Sequence, residues 1–325
     1  MSTPETNLSS AGAPMVDSPS VSGVARAAPL LGTLIMLVRR ELWEHRALWL
    51  GPLAISALLV ACAFAVHIGP VELSEHAGSD VQRRALFGLV QWGLTVPQYI
   101  VMLIILNFYL LDCLYAERKD RSILFWKSLP VSDATTVASK LLVAVVVVPL
   151  GVYLLAMVTN LLFSAIWLAR ASYGLLAPNA SVWDTVVFLK VEALMLVGLF
   201  VSMLWYAPLA AYFLMISAWA RRAVFLWAVL PPVIAILVEH LAFRTQYVAG
   251  LIEYRTTGIW QRTNMEQAAN SAIAAGKHQI VSLAAFFDAL NIREFLLNID
   301  VWLGLAVALG FAFVAVRLRR YRDDT

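Results

Sequence analysis

The segment Leu110–Val148, LLDCLYAERKDRSILFWKSLPVSDATTVASKLLVAVVVV, decides how this chain is read. Two strongly apolar runs flank a charged patch. Inside the patch sits an apolar knot, Ile123-Leu124-Phe125-Trp126, followed by Pro130. Apolar runs of about 20 residues are long enough to cross a bilayer as helices. A connection between two such spans needs only to be polar, yet this one carries charges of both signs together with large apolar side chains.

The connection divides into three parts. Residues 115–120 (YAERKD) prolong the preceding helix beyond the membrane. Asp120 or Ser122 then caps a helix of one or two turns with the body RSILFWKS, because a short polar side chain satisfies orphan N–H groups at a helix start. Pro130 ends that helix, since proline lacks a donor and restricts the residue before it. Ser132 is the expected N-cap of the next helix, with Asp133 favourably placed in its first turn. The short helix offers Ile123, Leu124 and Trp126 between Arg121 and Lys127. Two readings fit: an interfacial helix resting its aromatics in lipid headgroups, or a knob for a partner, with apolar anchors inside a charged rim.

The 325 residues as a whole are 61% hydrophobic and 14% charged. Soluble domains are about 45–50% apolar and about 25% charged, so the chain reads as an all-α polytopic membrane protein. A net charge of +3 gives no argument for nucleic acid as a partner; the expected surroundings are a lipid bilayer. Cys62 and Cys113 stand in apolar runs without a CxxC spacing, and both are expected to be ordinary buried thiols. Residues 1–29, rich in Ser, Pro, Ala and Gly, read as a disordered tail without the pattern of a secretory signal.

Six segments have the length and composition of spans: 47–68, 90–114, 141–168, 186–217, 223–241 and 301–316. The fourth is longer than a bilayer needs and contains Pro208, which predicts a kink, a tilt or an extension. Basic residues cluster before the first span (Arg39, Arg40, Arg46), in the 115–140 connection, at Arg221-Arg222, and after the last span (Arg317, Arg319, Arg320, Arg322). Short basic segments stay inside, so both termini are expected to be cytoplasmic. Before the first span, residues 30–46 place Leu31, Leu34, Ile35, Val38 and Leu42 at helical spacing, with Arg39, Arg40 and Glu44 largely off that stripe. This predicts an amphipathic helix lying along the inner leaflet or, alternatively, an extension of the first span. The external segment 242–300 is long and contains helix formers and an apolar periodicity through Ile280, Leu283, Phe287 and Leu290. It reads as a helical cap or as a re-entrant segment too short to cross.

Few residues in the sequence stand in a pattern that chemistry needs. Five histidines show no HExxH or other paired ligand spacing, no GxSxG elbow occurs, and the GxxxxGK[ST] phosphate loop is absent. The chain is therefore expected to be no enzyme, with no cofactor and no metal of its own. Polar residues within spans are costly and often functional. Gln98, Asn107 and Asp112 lie along the second, and Thr159 and Asn160 in the third. Lys190 and Glu192 begin the fourth, where they are expected to snorkel toward the outer interface. No ladder of carboxylates marks a proton relay.

The stretch ERKDRSILFWKSLPVSDATTVASKLL resembles the permease subunit of ABC-2 type transporters: an acidic/basic stretch, a small apolar helix, a PVS-like turn, then Lys-Leu entering the third span. The likeness extends over residues 30–322, and one departure is Arg121-Ser122, where many members have Gly before the short helix. The resemblance implies a transmembrane domain with an N-terminal elbow helix (30–46), six transmembrane helices, a coupling loop (115–140) and a large external segment before the last span. It implies a bacterial-type plasma (inner) membrane with both termini cytoplasmic. Because the phosphate loop is absent, ATP would be bound by a separate cytoplasmic ATPase subunit. The coupling residues would be Glu117, Arg118, Asp120, Arg121, Ile123, Leu124, Trp126, Lys127 and Pro130. A second permease copy or paralogue would complete the path, with export the usual direction and no substrate residue assigned. The alternatives from other classes are a stand-alone secondary transporter or channel, and a membrane-embedded enzyme or assembly scaffold.

Overall fold

A computed structural model describes residues 30–65, 80–123, 131–172, 183, 185–262 and 292–321. Every element in those residues is helical: α1 (Leu30–Glu44), α2 (Ala47–Ala65), α3 (Asp80–Lys119), α4 (Asp133–Leu142), a π-helical turn (Val143–Val147), α5 (Val148–Ser172), α6 (Thr185–Trp219), α7 (Val224–Phe243), α8 (Tyr247–Arg262), α9 (Ile292–Leu297) and α10 (Ile299–Tyr321). Helices are what such sequences must form, because lipid offers no partner for backbone N–H and C=O groups. Six of these helical stretches are long and apolar enough to cross a membrane, with α4, the π turn and α5 forming one of them. The chain is a multi-pass membrane protein by that architecture.

Several helices run past the apolar segments that define them. Forty residues of α3 rise about 60 Å at 1.5 Å each, against a hydrocarbon core of about 30 Å. The extension carries Glu117, Arg118 and Lys119 on a helical frame. On the other side of the 120–132 connection, α4 begins at Asp133, ahead of the apolar run. Pro208 lies inside α6 without ending it.

The core sits where α3, α5, α6 and α10 meet, with Leu106, Leu110, Val152, Ala210, Leu214 and Ala315 fully buried. The most extensive packing is of α6 against α10 and α3. By contrast, α7 buries only Val224 and Ala228 and turns most of its apolar surface outward, as a lipid-facing helix does. Cys113 is buried, but Cys62 is exposed on α2, correcting the expectation for that thiol. It faces outward on a helix long and apolar enough to cross a membrane.

On α1, Leu31 and Ile35 of the expected stripe are exposed, Leu34, Val38 and Leu42 are half-buried, and Leu37 and Glu41 are buried. In a chain surrounded by lipid, apolar side chains gain nothing by turning inward, whereas a carboxylate does. Within 242–300, α7 reaches Phe243 and the short α8 follows, its first N–H groups capped by Glu239: Tyr247 and Val248 donate at 2.6 and 2.7 Å. Further on, Tyr254 donates to Asp300 at 2.6 Å, and Arg255 lies 4.8 Å from the Trp205 ring centroid, so α8 is fastened to α6 and α10. The apolar periodicity through Ile280–Leu290 lies outside the described residues.

Candidate functional site

Four helix ends converge on one face of the bundle, and each brings a charge. Glu41 comes from the end of α1, Glu117 from the end of α3, Lys140 from α4 and Arg319 from the end of α10. The local sequence fixes the approach of each. Ser132, in extended conformation, accepts from the Thr135 N–H at 3.1 Å and starts α4, which carries Lys140 two turns on. Ahead of it, α3 stops at Lys119, and Arg121 takes φ 55°, a left-handed position that turns the chain sharply. Ser122 closes that turn by donating to the Glu117 carbonyl at 3.2 Å.

Lys140 Nζ lies 2.7 Å from Glu41 Oε1 and 3.1 Å from Glu117 Oε1. Arg319 forks: its Nη1 contacts Glu117 Oε2 and its Nε lies 3.0 Å from Asp133 Oδ1. Tyr109 donates to Glu41 Oε2 at 3.0 Å, and Arg40 reaches both Glu117 (3.4 Å) and Glu44 (2.7 Å). The side chains of Lys140 and Glu41 are 0% and 1% exposed, so this is an interior cluster rather than a surface decoration. Interior ions are costly unless each is paired and hydrogen-bonded; here every carboxylate oxygen of Glu41 and Glu117 has a cationic or hydroxyl partner.

Chemically, the arrangement is a joint. The nearby Cys113 thiol donates to the Leu110 carbonyl, so among the described residues no nucleophile there is hydrogen-bonded to a base. Glu41, Glu44 and His45 offer three ligand atoms within 4.8 Å of one another, but Glu41 is engaged by Lys140 and Tyr109, and Glu44 by Arg40. That engagement fits an ion-pair network better than a metal centre. Beside the joint lies a groove of about 810 Å³, lined by His45, Tyr109, Asp112, Tyr115 and Phe225 among others.

The sequence-predicted coupling residues separate into three groups. Glu117 and Arg118 face the bundle: Glu117 is in the cluster, and Arg118 donates to the Ser217 and Ala220 carbonyls at 2.6 and 2.8 Å, closing the end of α6. Asp120 and Arg121 are exposed, and Ile123 is half-buried. Leu124, Trp126, Lys127 and Pro130 lie outside the described residues. Sequence reasoning missed Glu41, Lys140 and Arg319 as partners, counting the two bases only for their sign. A signal existed for Glu41, which falls on the same helical face as Leu34 and Val38, where an unpaired carboxylate would be anomalous.

A second polar cluster lies inside the spans. Lys190 is exposed as expected, but Glu192 is only 4% exposed and points inward, which corrects the snorkelling assignment. Two positions on a helix differ by about 200°, so neighbours at that spacing face opposite sides. Asn160 donates to Glu192 Oε1 at 2.9 Å and to Thr95 at 3.1 Å, Gln91 donates to Ser164 at 3.1 Å, and Ser56 donates to Gln98 at 2.8 Å. Asn107, for its part, accepts from Tyr206. Compared with known protein families, with curated proteins and with solved structures, the chain finds no match.

Proposed function

We propose that this chain is the permease subunit of an ATP-binding cassette transporter of the ABC-2 type. In this reading α1 is the elbow helix, both termini are cytoplasmic, and the 120–132 connection is the coupling element on which a separate ATPase subunit docks. Two permeases form the path, and the direction is export. The observation that carries the reading is the ion-pair joint. Both roots of the connection, Glu117 and Lys140, are held 3.1 Å apart, and the same two side chains hold α1 through Glu41 and α10 through Arg319. A push on the connection therefore reaches four helices as one unit, which is what a subunit driven from outside the membrane requires. The left-handed backbone at Arg121 adds support, because it stands where many members of the family carry Gly, the residue for which φ > 0 costs nothing.

Copurification from native membranes tests this. The intact chain should recover an ATPase, and Asp120→Lys combined with Arg121→Glu, or Trp126→Ala, should weaken the association, whereas Lys190→Glu at the far end of α6 should not. Equal recovery with all of these variants removes the docking role. Substrate flux in proteoliposomes holding this chain alone, without nucleotide, overturns the transporter class.

A further inference from the structure

Three helices meet around Glu192, and the polar atoms they bring are unbalanced. Glu192 accepts one hydrogen bond from Asn160 and has no cationic partner among the described residues. Both the Asn160 and Gln91 side chains are 1% exposed. Their amide nitrogens are used, on Glu192, Thr95 and Ser164, while Asn160 Oδ1 and Gln91 Oε1 are buried with no hydrogen-bond partner. The Tyr99 hydroxyl, on the same face of α3 one turn beyond Thr95, is buried and unpartnered as well. A carboxylate and two amide carbonyl oxygens, all acceptors, thus lie buried on a hydrogen-bonded set of side chains from three helices. Such oxygens left unsatisfied are costly, and a single carboxylate among them balances one positive charge rather than two.

Aromatic rings lie on one side of this cluster. Phe87 and Phe188 lie one turn from Gln91 and Glu192, toward the end of the bundle away from the termini. Trp183 packs on both, with ring centroids 5.8 and 5.2 Å away, so that end is covered by aromatic rings. Tyr153 donates to the Glu192 backbone carbonyl at 3.2 Å. Among the described residues, the titratable side chains facing Glu192 are Tyr99 from α3 and Tyr153 from α5, while Lys190 of α6 is exposed on the other side. None of them supplies a positive charge.

We propose that Glu192, Asn160 and Gln91, with Tyr99 beside them, form a binding site for a monovalent cation inside the helix bundle. The shared chemistry is a single positive charge held by acceptor oxygens, whether an alkali ion or a proton. The site stands apart from the ion-pair joint and does not rest on the transporter reading.

The test uses the purified full-length chain in lipid nanodiscs. Thermal unfolding and tryptophan fluorescence are followed in sodium, potassium or N-methyl-D-glucamine chloride at matched ionic strength, across about pH 6 to 8. An occupied site stabilises the folded state by mass action, so sodium or potassium should raise the midpoint by about 5 °C over the organic cation. Glu192→Gln should abolish the difference, Gln91→Leu should weaken it, and Asp112→Asn, an exposed carboxylate outside the site, should keep it. If the alkali ions have no effect but the wild type loses stability as pH rises while Glu192→Gln does not, the cation held there is a proton. A wild type indifferent to both cation and pH overturns the proposal, and so does an alkali effect that survives in Glu192→Gln.

Discussion

Lys140 Nζ and Glu41 Oε1 are 2.7 Å apart, in side chains that expose 0% and 1% of their surface and stand 99 residues apart in sequence. Their pairing joins the helix before the first span to the helix that opens the third. Removing one partner is worse than removing both, because the survivor is left charged and dry. Lys140→Met strands Glu41 and weakens the hold on Glu117, for an expected loss of about 3–5 kcal/mol. Adding Glu41→Leu should recover a substantial part of that loss. Denaturant unfolding of the purified chain, read as a double-mutant cycle, measures the coupling; additive effects would show that the two charges do not stabilise each other.

Arg319 makes a different prediction, because its geometry depends on a fork. Its Nε and Nη1 engage Asp133 and Glu117 at once, binding the end of α10 to both sides of the 120–132 connection. Lysine keeps the charge but is a point donor without the planar fork. Arg319→Lys is expected to lose about 1–3 kcal/mol and Arg319→Ala more, by the cost of unpaired buried carboxylates. Burial also shields the cluster from salt, so these losses should change little between low and high ionic strength. A strong salt dependence of the Arg319→Lys deficit would mean that the pair is solvated.

Arg121 tests the turn rather than the charges. At φ 55° a residue with a Cβ is strained by about 1–2 kcal/mol, and glycine is not. Arg121→Gly should therefore leave the unfolding midpoint unchanged or slightly raised, whereas the β-branched Arg121→Val should lower it. The two variants remove the same charge, so the difference between them isolates the backbone. Equal midpoints would contradict the left-handed assignment.

What could be read from the sequence divides along one physical line. Apolar runs announce themselves by length, which is why six membrane-crossing helices were legible and why Ser132 was identifiable as a cap: both depend on neighbours in sequence. The joint depends on tertiary meeting. Lys140 and Arg319 look, in one dimension, like any basic residue flanking a span, and nothing local says which acid each will find. Glu192 shows the same limit from the other side. A carboxylate two residues from Lys190 looks interfacial until the helix phase is known, and that phase turns it toward Asn160. The π-helical turn at Val143–Val147, one turn past Lys140, was also silent in the sequence, since five apolar residues describe a π turn and an α turn alike.

Two helices approach closely at Gly151 of α5 and Trp49 of α2. A Cβ built on Gly151 of α5 would lie 2.6 Å from the Trp49 ring of α2, nearer than carbon atoms pack. Trp49 follows directly on the break between α1 and α2, so its ring helps to set the angle at which the chain enters the bundle after Glu41. An indole is rigid and must move as a whole, unlike the tip of an aliphatic chain. Gly151→Ala should therefore cost about 1–3 kcal/mol through overpacking and shift the tryptophan emission. Trp49→Leu removes the obstructing ring, and in that background Gly151→Ala should cost far less, since helix propensity alone favours alanine by about 1 kcal/mol. An equal cost in both backgrounds would separate Gly151 from Trp49 and leave the close approach of α2 and α5 without energetic consequence.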